Sequence, residues 1–261
     1  MNRGRRGWLR RFHARGGAHI RLLCFPHAGG TANSFFELSS KTPPWVEVVA
    51  VQYPGRHDRS AEALVPSVTA LAEQVCAELS AQTDAPPLVL LGHSMGSLVA
   101  YEVAHRLADR SAGPLGLVAS AAVAPDARFR DTRALDDADL LADLGALGGF
   151  DELLLRDPEF VAMVLPIIRN DLWASETYRV PDRPPLRCPV QALYGADDAF
   201  VLPDRVAGWS RFTDADFSSH AFDGGHFFLD ANRAEVLPVL LDFVGRVGRR
   251  GLNAETRPAR D

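Results

Sequence analysis

Residues 88–108 of the chain read LVLLGHSMGSLVAYEVAHRLA. An apolar run that predicts a buried strand is followed at once by the pattern G-x-S-x-G at 92–96, and a helical pattern begins at Ser97. This order is typical of a nucleophile elbow, in which a tight turn lifts a serine hydroxyl above the end of a parallel sheet. The two glycines leave out the Cβ atoms that would collide in such a turn. The stretch therefore predicts an α/β fold with Ser94 as a nucleophile.

Short apolar runs alternate with helical patterns on both sides of this turn. The predicted buried strands are Ile20–Phe25, Val46–Val51, Leu88–Leu91, Leu117–Val123 and Val190–Tyr194, with Phe217–Phe222 as a weaker candidate. The predicted helices between and after them are Val68–Leu79, Ser97–Ala108 and Arg233–Val244. Strands separated by helices indicate βαβ crossovers. The expected architecture is a mostly parallel central sheet with helices on both faces.

The region from about 126 to 180 interrupts this alternation. Two helices are predicted there, Asp136–Leu147 and Pro158–Ile168, with no strand between them. Insertions of this kind after the strands of a parallel sheet commonly cover the ligand pocket. We predict a helical lid; the alternative is a solvated helical pair.

The composition of the chain excludes several classes of protein. With 261 residues, of which 47% are hydrophobic and 23% charged, it has the profile of one globular α/β domain spanning 1–261. Such a profile argues against a disordered chain, a fibrous repeat or a disulfide-stapled miniprotein. The net charge of −5 argues against a nucleic-acid partner.

The charge is unevenly distributed along the chain. Residues 1–15 carry six arginines and no acid, and residues 246–261 carry five arginines and two acids. The segment between them, 16–245, carries 17 basic and 31 acidic side chains. The sequence therefore combines an acidic body with basic ends.

Nothing in the sequence indicates a membrane or secreted protein. No apolar run approaches the roughly 18 residues of a membrane span, and the arginine-rich start is followed by no apolar signal segment. An organelle transit peptide stays open as an alternative. The three cysteines, Cys24, Cys76 and Cys188, lie far apart and are expected to be buried thiols rather than metal ligands. We expect a cytoplasmic protein.

A serine nucleophile needs a base that is itself oriented by an acid, and in this architecture the acid and then the base follow the serine along the chain. His226 is the predicted base because it lies in a glycine-rich loop before the last helix, whereas His220 falls within a strand. Asp197 and Asp198 both follow the preceding strand. Asp198 is favoured as the acid because it lies three residues beyond Gly195, and Asp197 would then be a solvated turn residue.

Two backbone N–H groups are needed to stabilise the oxyanion of a tetrahedral intermediate. Met95 supplies one because it directly follows the nucleophile. The second is predicted at Ala28, in CFPHAGG at 24–30, where paired glycines allow close approach of the substrate. Alternatively, the glycines form only a turn. His27 precedes Ser94 in the chain, so it is not predicted to be the base.

The chain resembles the type II (external, editing) thioesterases of polyketide and nonribosomal peptide biosynthesis, which have the α/β-hydrolase fold. The matching motifs are WLR at 8–10, CFPHAGG at 24–30, YPGR at 53–56, GHSMGS at 92–97, YE at 101–102, ETYR at 176–179, GADD at 195–198 and GGHFFL at 224–229. They span about residues 8–245. Two small departures are His57, where glycine often follows YPGR, and Ser97, where alanine is common.

This resemblance assigns the nucleophile, acid and base to Ser94, Asp198 and His226, and the oxyanion donors to Ala28 and Met95. It implies hydrolysis of acyl groups from the phosphopantetheine arm of acyl or peptidyl carrier proteins, which removes stalled or misprimed units. It implies no metal and no cofactor, because the pantetheine belongs to the partner, and a monomer is expected.

The resemblance leaves three alternative functions open: a generic carboxylesterase or lipase, a chain-releasing thioesterase, and a catalytically inactive binding module.

A thioesterase of this kind is expected to hold the acyl group in a chamber. Side chains of the insertion that could line it, or could equally belong to the core, are Met163, Leu165, Ile167, Ile168 and Trp173.

An acidic body is expected to repel carrier proteins, which are usually acidic, so docking must use a local patch. The candidates are the arginine-rich N-terminal segment, or Arg56 and Arg59 near the mouth of the site. The alternative is that both ends, at about 1–7 and 247–261, are flexible solubilising tails.

Overall fold

A mostly parallel sheet forms the centre of the protein in a computed structural model that describes residues 7–82, 85–108, 113–127, 131–149 and 156–255, with side chains to 251. The strands in these ranges are β1 (Leu9–Arg10), β2 (Ile20–Phe25), β3 (Val46–Val51), β4 (Leu88–His93), β5 (Gly116–Ser120), β6 (Val190–Gly195) and β7 (Phe217–Phe222). Their order across the sheet is β1-β3-β2-β4-β5-β6-β7. Only the β1–β3 pair is antiparallel among them.

Helices cover both faces of the sheet. They are α1 (Phe36–Lys41), α2 (Val68–Ser80), α3 (Met95–Ala108), α4 (Asp137–Leu147), α5 (Pro158–Thr177), α6 (Pro203–Ala207), α7 (Phe228–Ala231) and α8 (Arg233–Glu255). Successive side chains of β2 point to opposite faces, so Leu23 and Phe25 pack with α2 and α3, whereas Leu22 and Cys24 pack with α1 and α8. The observed layers agree with the predicted α/β fold class.

The parallel direction of the strands brings distant segments to one edge. The loops that follow β2, β4, β6 and β7 all leave the sheet at its carboxyl edge. These loops carry Ala28, Ser94, Asp198 and His226, respectively. Residues that are far apart in the sequence can therefore meet there.

Several predicted boundaries change in the structure. The strand predicted over Leu117–Val123 ends at Ser120, because Ala121 takes a positive φ of 49° that an extended strand does not allow. The helix predicted to end at Ile168 continues through α5 to Thr177, with Pro166 inside it. The sequence does not predict β1, because its two residues are too few for a periodic signal.

The last helix is longer than predicted. The sequence favours an end at Val244, before glycines at 245, 248 and 251, but α8 continues to Glu255. A Cβ at Gly248 would clash with Ile20, and one at Gly251 would clash with Leu115. These glycines therefore let α8 pack closely against Ile20 and Leu115, at the amino ends of β2 and β5, and they do not end the helix.

The predicted flexible tail over 247–261 is wrong for its first part, because residues 247–255 belong to α8 and Val247 is buried in the core. Residues 256–261 lie outside the described residues, as do 1–6 of the predicted N-terminal tail. Among the described helices, none has the length and apolar character needed to span a bilayer.

The three cysteines are buried free thiols, as predicted. Burial raises the pKa of Cys188 to about 12 and raises the pKa of Cys24 well above its ordinary value. Both groups are therefore protonated and unreactive at neutral pH.

We expect Val247→Ala to lower the free energy of unfolding by about 2 kcal/mol, because it removes two methyl groups from a packed site in α8. Arg249→Ala, on the exposed side of the same helix turn, is the matched control and should change it by less than about 0.5 kcal/mol. Urea unfolding measures both. Equally small changes in the free energy of unfolding for the two variants would mean that residue 247 does not pack in the core.

Candidate active site

The turn between β4 and α3 holds Ser94 in the conformation of a nucleophile elbow. Ser94 is the single residue between the strand and the helix, and its φ is 54°, a left-handed value that is costly for a residue with a side chain. Its N–H donates to the Ser120 carbonyl at 2.8 Å, and its carbonyl accepts from the Ser97 N–H at 2.9 Å. These bonds fix the backbone from which the Ser94 side chain leaves the turn.

The glycines on either side make this turn sterically possible. A Cβ at Gly92 would clash with the backbone of Gly96 and Ser97, and a Cβ at Gly96 would clash with the carbonyl of Phe25. The elbow therefore requires glycine at both positions, as the sequence predicted. Close contact between Gly96 and the end of β2 also sets the distance between Ser94 and the loop that carries Ala28.

The structure brings Ser94, His226 and Asp198 together in one hydrogen-bonded chain. The Nε2 atom of His226 lies 2.9 Å from the Ser94 Oγ, and its Nδ1 atom lies 2.6 Å from the Asp198 Oδ2. An ionised carboxylate only accepts, so Nδ1 carries the proton and Nε2 is free to accept the proton of the Ser94 hydroxyl. Both His226 and Asp198 are buried.

The environment of Asp198 favours its charged form. Burial disfavours the charge, but the hydrogen bond and the attraction from His226, together with two backbone hydrogen bonds, outweigh it. The second oxygen, Oδ1, accepts from the N–H groups of Phe200 at 2.9 Å and Val201 at 3.2 Å. Together these contacts hold the pKa of Asp198 below its ordinary value.

The alternative acid and base, Asp197 and His220, are not part of the hydrogen-bonded chain of Ser94, His226 and Asp198. Asp197 is exposed, and its Oδ2 accepts from the Gly224 N–H at 3.2 Å. His220 is exposed on β7, with its ring against Phe222. The preference for Asp198 and His226 therefore agrees with the geometry.

Two neutral histidines lie beside His226. Burial lowers the pKa of His27 to about 4, with a smaller effect from His226, and lowers the pKa of His93 well below its ordinary value. The His93 Nδ1 atom is 2.9 Å from the Ser120 Oγ, and its ring centre is 5.7 Å from that of His226. Sequence reasoning assigned no role to His93. Its position inside the serine motif was the available signal.

The predicted oxyanion donors lie beside the nucleophile. The Gly30 N–H donates to the His27 carbonyl at 3.0 Å, and Gly29 has a φ of 77°, so residues 27–30 form a tight turn that requires glycine at 29. Ala28, in this turn, and Met95 line the same cavity as Ser94. Their positions are compatible with the predicted oxyanion hole.

An apolar cavity of about 300 Å³ opens at Ser94. Besides Ser94, Ala28 and Met95, its walls are formed by Leu98, residues 121–127, Leu172, Ser175, Glu176, Tyr178, Arg179 and Val180. One wall is tied to α3, because the Tyr178 hydroxyl donates to the Glu102 carboxylate at 2.6 Å. The insertion therefore contributes directly to the cavity through the end of α5 and the residues after it.

The insertion residues suggested for an acyl chamber are not those that line the cavity. Met163 and Trp173 are exposed, with 62% and 51% of their surface accessible. Leu165 and Ile168 are buried in a cluster with α4, and Ile167 is not in the cavity wall. The difference arises because α5 is longer than predicted, and its later turns face Ser94.

Arg56 and Arg59 do not form a docking patch. Both are buried, with 3% and 5% of their surface accessible. Arg56 pairs with Asp171, and Arg59 pairs with Glu62 through a 2.6 Å contact. That part of the docking prediction is wrong because long charged side chains can be buried when they are paired.

The described part of the chain contains no group of three or more histidine, cysteine, aspartate or glutamate side chains arranged to hold a metal ion. The site is thus composed of a serine hydroxyl, an imidazole, a carboxylate and backbone amides. This set can perform nucleophilic acyl transfer.

The model of the thioesterase domain family matches residues 20–244 of the chain. Thioesterase PikA5 of Streptomyces venezuelae is 42% identical over 231 residues, which cover 88% of this chain and 82% of that protein. The gramicidin S biosynthesis protein GrsT of Aneurinibacillus migulanus is 32% identical over 233 residues, which cover 88% and 91%.

A solved structure, that of the type II thioesterase BorB from the borrelidin biosynthetic cluster, superposes with a TM-score of 0.83 at 37% identity. The match covers 92% of this chain and 99% of that one. These comparisons confirm the predicted fold class and the family resemblance.

The lowered pKa of Asp198 predicts a pH-dependent contribution to stability. The ionised carboxylate stabilises the folded protein above the ordinary aspartate value of 3.8, and this contribution is lost as the pH falls through the lower pKa of the folded state. The native protein should therefore progressively lose its advantage over Asp198→Asn in free energy of unfolding as the pH falls below about 5 and on through the ordinary aspartate value of 3.8.

Urea unfolding of both proteins across this pH range measures the difference. Asp197→Asn is the matched control, because its exposed carboxylate does not contact His226, and it should show a smaller change. A constant difference between native and Asp198→Asn would contradict the prediction.

Proposed function

The chain belongs to the thioesterase family, and on that basis we propose that it hydrolyses acyl thioesters on carrier proteins as an external, type II enzyme of polyketide or nonribosomal peptide biosynthesis. The observation that carries the proposal is the chain of hydrogen bonds from Asp198 through His226 to Ser94, at the opening of an apolar cavity. The names of the relatives support the biosynthetic context.

In the first half of the proposed reaction, Nε2 of His226 accepts the proton of Ser94 as its Oγ attacks the thioester carbonyl carbon. The N–H groups of Ala28 and Met95 donate to the oxyanion that forms. The intermediate then expels the thiolate of the phosphopantetheine arm, which takes the proton from His226. An acyl ester on Ser94 remains.

In the second half, His226 accepts a proton from a water molecule, whose oxygen attacks the ester carbon. The same two N–H groups stabilise the second oxyanion. Collapse of this intermediate returns the proton to the Ser94 oxygen and releases the carboxylic acid. Asp198 keeps the imidazole in the required tautomer and stabilises the imidazolium in both halves.

The acyl group enters the cavity beside Ser94 in this proposal. A volume of about 300 Å³ is at the lower end for ligand pockets, which suits short acyl units such as those left by misprimed or stalled carriers. This supports an editing role over release of a long finished product. The same cavity also admits short oxygen esters, so a carboxylesterase is the second candidate.

The reaction needs no metal and no cofactor of the protein, because the phosphopantetheine arrives on the carrier. We further propose that the protein acts as a cytoplasmic monomer. With Arg56 and Arg59 buried, the arginine-rich N-terminal segment is the remaining electrostatic candidate for carrier docking.

We expect Asp198→Asn to lower kcat by about 10⁴, because the amide no longer holds the required tautomer of His226. Asp197→Asn is the matched control, because Asp197 is one residue earlier and exposed. It should lower kcat by less than about threefold, since ordinary surface substitutions have small effects. Steady-state hydrolysis of a p-nitrophenyl ester measures both. The opposite ranking would assign the acid to Asp197.

The carrier substrate is tested by comparing acetyl, butyryl, octanoyl and palmitoyl groups on a carrier protein with the matching p-nitrophenyl esters. We expect a higher kcat/KM on the carrier than on the ester for the short acyl groups, and a decline with chain length because the cavity is small. Ser94→Ala should abolish both reactions. Faster hydrolysis of the free esters would favour the carboxylesterase, and one dominant long substrate would favour chain release.

A further inference from the structure

Asp171 is a buried carboxylate in α5 with no role in the chemistry described so far. None of its surface is accessible. Its Oδ2 accepts from the Gly29 N–H at 2.8 Å and from Nη1 of Arg56, and its Oδ1 accepts from Nη2 of Arg56 at 2.9 Å and Nδ2 of Asn170 at 3.0 Å. A buried carboxylate is tolerated only when its oxygens have such partners, and here each oxygen has two.

The Gly29 N–H belongs to the turn that carries Ala28. The positive φ of Gly29 and the bond from the Gly30 N–H to the His27 carbonyl are the features of a type II turn. In the competing type I turn, the peptide between Ala28 and Gly29 is rotated by about half a turn, so its N–H points the other way. By accepting this N–H, Asp171 favours one of the two orientations.

A second side chain of α5 contacts the same glycine. A Cβ at Gly29 would lie 2.7 Å from Cγ1 of Ile168, which precedes Asp171 by one helical turn. Ile168 also belongs to the apolar cluster that joins α4 to α5. The oxyanion turn is therefore held by the insertion through both packing and a hydrogen bond.

The motif YPGR at 53–56 supports this contact from the other side. Arg56 donates to both oxygens of Asp171, which fixes the plane of the carboxylate. The Tyr53 hydroxyl donates to the Pro26 carbonyl at 3.4 Å, just before the turn. The motif contributes no group to the proposed reaction, so its role is in holding the turn and its acceptor.

We propose that Asp171 is a positioning residue: by accepting the Gly29 N–H it holds the turn in one form, and through the adjoining residue it holds the Ala28 N–H in place beside Ser94, so that the oxyanion hole is complete only while α5 is seated against residues 27–30. This rests on the proposed acyl-transfer role of Ser94. Displacement of one donor weakens binding of the transition state and leaves the apolar cavity, which binds the acyl group, unchanged.

The test is the kinetics of Asp171→Asn with a p-nitrophenyl butyrate substrate. The amide replaces one of the two oxygens by an NH₂ group, so Arg56 loses an acceptor in either orientation, and the Gly29 N–H also loses its acceptor when the NH₂ group takes the place of Oδ2. We expect kcat to fall by about 10- to 100-fold with KM changed by less than about threefold, since loss of a complete oxyanion donor costs about 10²–10³ in kcat. The pH profile of kcat should keep its shape because Asp198 and His226 are not changed.

The inhibition constant of a butyl trifluoromethyl ketone gives a readout that a purely structural effect does not predict. Ser94 adds to this ketone and forms a tetrahedral adduct that carries an oxyanion. Its inhibition constant should rise by the same factor by which kcat falls, while KM stays constant.

Two further variants keep the test decisive. Arg169→Gln removes an ion pair between α5 and Asp137, with a 3.0 Å contact, away from the oxyanion turn, and should keep native kinetics. Arg56→Met with Asp171→Leu removes both charges, so no buried charge is left unpaired, yet the Gly29 N–H still lacks its acceptor. This double variant should show the same loss of kcat as Asp171→Asn, and it decides the matter if the single variant does not fold.

The proposal is overturned if the double variant keeps kcat within threefold of native, or if Arg169→Gln loses as much as Asp171→Asn. The proposed substrate can fail separately. Hydrolysis of the ester that depends on Ser94, with no hydrolysis of acyl carriers, would refute the carrier substrate and leave the role of Asp171 measurable. If neither substrate is hydrolysed in a reaction that depends on Ser94, the proposed function and the proposed role of Asp171 are both refuted.

Discussion

The backbone turn at Ser94 is the constraint on which the rest of the site depends. Because the nucleophile takes a left-handed φ, both neighbouring glycine positions lie in close backbone contact with other parts of the chain. Gly96 in particular lies against the end of β2, where the turn of residues 27–30 begins. The backbone just after the nucleophile is therefore in contact with the backbone just before the oxyanion turn, and the position of one limits the position of the other.

Much of the site could be predicted from the sequence because its signals are local. Ser94, Asp198 and His226 each follow a strand, and the chain order of the three residues narrows the choice of acid and base. The choice between Asp197 and Asp198 depends on a contact with a distant part of the sequence. Only the structure shows that one carboxylate points to the imidazole and the other to solvent.

The parts that could not be predicted depend on contacts between distant segments. Arginine is usually exposed, and nothing near Arg56 in the sequence indicates that its partner lies 115 positions away in α5. The sequence underestimates the length of α8 for a similar reason: its glycines weaken the helix locally, but they permit close packing on Ile20 and Leu115 at the amino ends of two strands. In both cases tertiary packing outweighs the local preference.

The buried pair of Arg56 and Asp171 has a consequence for how such proteins diverge and recombine. Changing either residue alone leaves a buried charge without a partner, at a cost of about 3–5 kcal/mol, which is a large part of the stability of a typical domain. Related proteins should therefore either keep both residues or have both replaced. A graft of the insertion from one relative into another, made to change the range of acyl substrates, has to include the loop at 53–56 along with α5.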